Sequence, residues 1–227
     1  MRRLLLFDID GTLVAGGPAK DAFHTALLSA FGTAGPIEVH DFAGKTDPQI
    51  ARELLEQAGL NRGEIDRGLP RLFERYLEEL EARLPERPMT VLPGVLELMA
   101  ALREAEDVAL GLVTGNIAGG AELKLGSAGL FGHFRMGAFG SDSEERNDLP
   151  GLAVRRAREI WGVDFAAEHV LIIGDTPRDV ECGLHHGVVT VGVATGRYDQ
   201  AALRGAGAHH VVEDLRDTEG MHEILVG

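Results

Sequence analysis

Cysteine is almost missing from this chain of 227 residues. Cys182 is the only one, so no disulfide can form within the chain, and a reducing compartment is the setting that fits. Basic charge is also scarce: Lys and Arg number 22 against 36 Asp and Glu, a formal net charge of -14. Without clustered basic surface, neither nucleic acid nor an anionic membrane is an expected partner, and a site for an anionic ligand must carry its own local positive charge. Long apolar runs are absent as well. The opening MRRLLLF stops at Asp8, short of the roughly 7–15 residues of a secretion signal's apolar region. No stretch approaches the ~18 residues of a membrane span, and the chain reads as cytoplasmic.

What is present is a rhythm. Short apolar runs occur at Leu4–Phe7, Val108–Val113, His169–Ile173 and Val188–Val193, with a weaker one at Phe134–Phe139 and an edge-strand candidate at His210–Val212. Such runs suit strands covered on both faces. Helix-like stretches lie between them at Gly94–Glu106, Ile117–Ala128, Leu149–Trp161 and Arg178–His186. This alternation predicts an α/β fold, a Rossmann-like parallel sheet with helices on both sides and ligands bound beyond the carboxyl ends of the strands.

One interval breaks the rhythm. From about Pro18 to Pro88 the sequence shows helical patterns at Ala19–Phe31, Asp47–Ala58 and Glu64–Arg83, and no convincing strand. The expected organisation is therefore a core of residues 1–16 and 89–227 with a helical insertion at 17–88. Gly16-Gly17-Pro18 on one side, and Glu86–Pro88 with Leu92–Gly94 on the other, read as its linkers.

The chemistry gathers where apolar runs end. The first run delivers Asp8 and Asp10. A calcium loop counted from Asp8 would need an oxygen ligand, Gly and Glu where Thr12, Leu13 and Ala19 stand, so that reading fails. If the strand continued regularly, both carboxylates would share one face. Val108–Val113 ends in Thr114-Gly115-Asn116, which suits either a helix cap or an anion-facing loop. His169–Ile173 ends in Gly174-Asp175-Thr176-Pro177-Arg178-Asp179. A helix start explains Pro177 and Thr176 but not Asp175 at the strand edge. Converging strand ends would crowd these carboxylates, and a divalent cation resolves the repulsion; all-oxygen ligands favour Mg²⁺.

FDIDGTL, VTGN and GDTPRD, in that order and at these separations, resemble the haloacid dehalogenase-like superfamily of aspartate-nucleophile phosphohydrolases. The resemblance covers nearly the whole chain and implies a Rossmann-like core interrupted by a helical cap. It implies that Asp8 is the nucleophile, that Asp10 is the general acid and base, and that Thr114, Gly115 and Asn116 bind the phosphoryl group. It further implies that Asp8, Asp175 and the backbone carbonyl of Asp10 hold Mg²⁺, with Asp179 as a metal or supporting carboxylate. The family usually carries a Lys in a KP-x-P segment ahead of the helix leading to the fourth strand. This chain reads EERNDLPGLAVRRA from Glu144 to Ala157, with no Lys, and aligning the following helix puts Arg146 in that place.

Asp10 favours a phosphatase over a dehalogenase, whose pattern lacks the second aspartate. The implied activity is hydrolysis of phosphate monoesters of small metabolites through an aspartyl-phosphate. A phosphosugar mutase, a phosphonate hydrolase using Lys20 or Lys45, and a non-catalytic binding protein remain alternatives. Gly44-Lys45-Thr46-Asp47 resembles a cap segment of phosphoglycolate phosphatase-like members, which makes Lys45 a candidate substrate contact. Thr46 and Gln49 also fit a capping box. His185-His186, His209-His210 and Cys182 read as structural residues, and the Glu-rich Leu77–Arg83 run as a solvated helix face.

Overall fold

The computed structural model describes residues 3–105 and 107–227. Six strands form one parallel sheet: β1 (Arg3–Phe7), β4 (Val108–Thr114), β5 (Gly137–Phe139), β6 (Val170–Gly174), β7 (Val189–Val193) and β8 (His210–Val212), in the spatial order β5-β4-β1-β6-β7-β8. The chain leaves β1 for one side of the sheet and returns to its other side at β6. This is the topological switch that opens a crevice at the strand ends. β4, β1 and β6 are immediate neighbours, with Phe7 level with Leu112 and Ile173. The three expected motifs are thereby delivered side by side.

Burial follows the pleat. Leu5 and Phe7 enter one core and Leu4 and Leu6 the other, which is why an uninterrupted apolar run is needed. Helices α4 (Val95–Glu104), α5 (Ala118–Ser127), α6 (Leu149–Trp161) and α7 (Pro177–His185) stand where the sequence places them, within a few residues. The expected helix Gly94–Glu106 ends at Glu104, and Glu106 lies outside the described residues. Two short helices, α8 (Gln200–Gly205) and α9 (Thr218–Val226), were not anticipated. The Arg3 guanidinium ties β1 to α9 by donating to the carbonyls of Ile224 (2.9 Å) and Gly227 (2.6 Å).

The insertion contains α1 (Ala19–Phe31), α2 (Asp47–Gln57) and α3 (Arg62–Arg83), and no strand among the described residues. α3 begins two residues before its expected start because Asn61 and Glu64 form a reciprocal capping box. α1 packs on α3 through an edge-on contact of Phe23 with Tyr76, ring centroids 5.2 Å apart. On the Glu-rich run Glu78 and Glu81 are exposed as expected, whereas Glu79 is largely covered and pairs with Arg75 and Arg83.

The two chain crossings between insertion and core are paired with each other. β2 (Val14–Gly16) and β3 (Met89–Val91) form a two-stranded antiparallel ribbon, with Ala15 opposite Thr90. The sequence suggested only linkers here. Three-residue strands carry too little alternation to be read, and their pairing depends on partners far apart in the chain.

Candidate active site

Regular β1 ends at Phe7, and the chain then turns back on itself: Leu13 N–H donates to Ile9 O (2.9 Å) and Gly11 N–H to Val14 O (2.8 Å). Gly11 adopts φ +84°, and a Cβ there would run into the Asp175 carboxylate. Only glycine lets this turn and that carboxylate coexist. The strand therefore does not continue through Asp10, and Asp8 and Asp10 meet different surroundings. Asp8 is buried beneath the site, whereas the Asp10 side chain is 45% exposed.

Asp8 faces a charged cluster. One carboxylate oxygen each from Asp8, Asp175 and Asp179, all three residues buried, lie within 4.8 Å of one another. Arg146, from a single 3-10 turn ahead of α6, pairs with Asp179 and approaches Asp8 at 3.3 Å. Asp179 is held by a capping box at the start of α7, its Oδ2 accepting from Thr176 N–H (3.0 Å) and Thr176 Oγ1 (2.7 Å). Thr12 Oγ1 donates to Asp175 Oδ1 at 3.4 Å. Burial pushes the Asp8 carboxyl above the usual carboxylate range, with Arg146 opposing and Asp179 and Asp10 adding to the rise. Burial, then Asp179 and Asp8, push Asp175 upward as well. Arg146 loses hydration on burial, but Asp179 and Asp8 outweigh that loss and hold it firmly charged.

The donor set is one that suits a hard divalent cation. It is all oxygen, buried, and richer in carboxylates than Arg146 alone can balance. The Asp10 carboxylate is not among these oxygens.

Instead it points to a second cluster, which sequence reasoning missed. Lys124, on α5, donates to Asp10 Oδ2 (2.7 Å) and Asn116 Oδ1 (2.6 Å), and Asn116 Nδ2 donates to Asp10 Oδ2 (2.8 Å) and to Thr114 Oγ1 (2.8 Å). Burial works against the Lys124 charge, yet Asp10, Tyr76 and Asp47 together raise its affinity for the proton above the ordinary value. A signal was available: Ile117, Ala121, Lys124 and Leu125 mark one helical face, and a lysine in an otherwise apolar stripe calls for a partner. Asp47 was also passed over. Its carboxylate accepts from Ile117 N–H (2.8 Å), and burial pushes it up to about 6 against the pull of Lys124 and of that hydrogen bond.

The segment before α2 lies directly on the Thr114-Gly115-Asn116 loop. Asp47 N–H donates to Gly115 O (2.8 Å), and a Cβ on Gly115 would meet the Lys45 carbonyl. Thr46 caps α2 by accepting from Gln49 N–H (3.2 Å), but the Gln49 side chain goes to Glu53 (2.9 Å), so the reciprocal half of the expected box is not made. Lys45 is paired with Glu53, which also lies 3.3 Å from His40. Core and insertion enclose a cavity of ≈ 380 Å³ bordered by Asp8, Asp10, Thr114, Arg146 and Asp175 below and by Lys20, Phe42, Lys45 and Tyr76 above.

Among the residues read as structural, His186 and His209 make hydrogen bonds within the fold and Cys182 is buried. His186 Nε2 lies 2.6 Å from Asn147 O, and His209 bonds Thr190. Burial pushes the Cys182 thiol up to about 12, which leaves it inert.

The chain is similar to known proteins along most of its length. A family model described as haloacid dehalogenase-like hydrolase matches residues 3–187. The chain is 30% identical over 214 residues to the phosphoglycolate phosphatase of Synechococcus elongatus, covering 94% of this chain and 93% of that protein. It is 26% identical over 231 residues to the probable phosphatase IndB of Dickeya dadantii, covering 100% and 96%. The crystal structure of a hydrolase from Pseudomonas syringae has the same fold, with TM-score 0.74 at 21% identity over 100% of both chains. With three ordered motifs meeting at adjacent strand ends and a family match across most of its length, this chain belongs to the haloacid dehalogenase-like hydrolases.

Proposed function

We propose that the chain is a Mg²⁺-dependent phosphatase that hydrolyses phosphate monoesters of small metabolites through an aspartyl-phosphate on Asp8. The observation that carries this reading is the separation of the two carboxylates: Asp8 lies in the buried acidic cluster with Arg146, and Asp10 lies outside it with Lys124 and Asn116. That separation supports a division of roles in which one carboxylate attacks and the other handles a proton.

Asp8, Asp175 and Asp179, with the Asp10 carbonyl, are the groups that would hold Mg²⁺. When bound, the ion offsets charge on the phosphoryl oxygens and among these carboxylates. The chain's own residues do the rest. The Asp8 carboxylate attacks phosphorus, and the P–O bond to the leaving group breaks as Asp10 gives that oxygen its proton. Water then attacks the aspartyl-phosphate, Asp10 takes the water's proton, and Asp8 is released as carboxylate. The Thr114 hydroxyl already accepts from Asn116, which leaves its own hydrogen for a phosphoryl oxygen. Arg146 and the backbone N–H groups of Gly115 and Asn116 complete the anion pocket.

Residues 17–88 act as a cap that closes the cavity over the leaving group. A space of ≈ 380 Å³ suits a small metabolite. The names of relatives such as the Synechococcus elongatus phosphoglycolate phosphatase support the same class of substrate. Lys45 and Lys20, the candidates for imine chemistry on a phosphonate, are paired with Glu53 and Glu38, which supports ester hydrolysis instead. Among the described residues no helix is long and apolar enough to cross a membrane. The single cysteine supports a cytoplasmic setting.

The test is Mg²⁺-dependent phosphate release from an aryl phosphate by the wild type and by Asp8→Asn. Activity should fall at least about 10³-fold in the variant. An undiminished variant would sink the nucleophile assignment, and a wild type inactive on a broad panel of phosphate esters would favour a binding role.

A further inference from the structure

Lys124 lies on the buried stripe of α5 beside Leu125, with its side chain only 6% exposed. A buried ammonium is costly unless it is paired and hydrogen-bonded, and here the pairing is specific. Lys124, Asn116 and Asp10 close a ring of hydrogen bonds: Lys124 to Asp10 Oδ2 and Asn116 Oδ1, and Asn116 Nδ2 to that same Asp10 oxygen. Oδ2 of Asp10 therefore accepts twice. Among the described residues nothing hydrogen-bonds Oδ1, and the half-exposed carboxyl borders the cavity.

Building on the phosphatase reading, we propose that Lys124 is a positioning residue for Asp10: with Asn116 it occupies one carboxyl oxygen, so that the proton passed to the leaving group rides on the other. In the first step the P–O bond breaks with its electron pair going to the leaving oxygen. Asp10 Oδ1 gives its proton to that oxygen, and Asp10 becomes an anion. The fixed ammonium faces the charge that appears there, while Lys124 itself neither gives nor takes a proton. Orientation of this kind is felt only where the leaving group needs the proton. An alkyl alcohol cannot depart without one, whereas a nitrophenolate can.

The experiment compares kcat/KM for 4-nitrophenyl phosphate and for a simple alkyl phosphate in the wild type, Lys124→Met and Lys124→Arg. The Met variant should lose about 100-fold on the alkyl ester and less than about 10-fold on the aryl ester, within the range general acid catalysis commands. The Arg variant, which keeps the cation, should recover part of the alkyl-ester rate, and it carries the comparison alone if the Met protein does not fold. In a metal-free crystal structure of the Met variant, the Asp10 side chain should leave its present rotamer. Equal losses on both esters, or Asp10 unmoved, would overturn the role of Lys124 while leaving the phosphatase reading intact. A wild type that hydrolyses neither ester would overturn both.

Discussion

The Nη2 nitrogen of Arg146 lies 3.3 Å from Asp8 Oδ1 and also pairs with Asp179, so one guanidinium joins the carboxylate at the end of β1 to the one in the first turn of α7. Arg146→Ala leaves two buried carboxylates without their cation. Removing one partner of such a pair costs about 3–5 kcal/mol, which urea unfolding of the metal-free protein at neutral pH would measure. Phosphatase activity should fall with it. Arg146→Lys, which keeps the charge but lacks the forked donor, should restore stability better than activity.

Asp8, Asp47 and Asp175 all sit above the usual carboxylate range, burial being the largest cause in each. A carboxyl whose pKa is raised by folding binds more protons when folded. Its contribution is complete below the unfolded value and is lost as pH rises through the folded one. For Asp47 that window runs from 3.8 to about 6. His40, held below its ordinary value first by burial, opposes this weakly, and Asp142, lowered chiefly by its hydrogen bond from Arg156, acts only in acid. The metal-free protein should therefore melt lower at about pH 7.5 than at about pH 5. Added Mg²⁺ should raise the melting temperature more at the higher pH, because binding to the folded state alone stabilises it. Thermal scans with chelator and with Mg²⁺ decide this, and a metal-free melting temperature that rises over the same interval would contradict it.

Gly115→Ala places a methyl group against the Lys45 carbonyl, where backbone must move. The Thr114-Gly115-Asn116 loop and the segment leading into α2 would be pushed apart. The expected result is a fall of about 10–100-fold in kcat/KM, as for a small misplacement of binding groups, with the fold retained by circular dichroism. Activity within twofold of wild type would show that the helical insertion does not rest on this loop during turnover.

Lys45→Ala removes a cation already held by Glu53. A several-fold rise in KM with kcat little changed is expected, the mark of a group that binds ground state and transition state alike. A loss in kcat alone would assign Lys45 to the chemical step.

Much of the fold was legible because its signals are local. Apolar runs such as Leu4–Phe7 are needed wherever a parallel strand is covered on both faces, and this one appears in the chain as it appears in β1. The helices of the insertion were legible for the same reason. β2 and β3 were not, since each is three residues long and gains its structure only by meeting the other across the insertion.

The site divides in the same way. Asp8, Asp10, Thr114 and Asp175 stand at or just beyond the ends of apolar runs, so the linear order of the chain was enough to bring them to one sheet edge. Arg146 could be placed by aligning the helix that follows it. Which cation serves which carboxylate was decided by tertiary structure alone. Lys124 reaches Asp10 across 114 positions of sequence, and Arg146 reaches Asp179 across 33. The apolar stripe of α5 shows that a lysine there must be paired, but the partner depends on how α5 docks against the turn after β1. Periodicity and run length act between neighbours in the chain. Charge pairing acts between neighbours in space, and only the folded sheet makes those known.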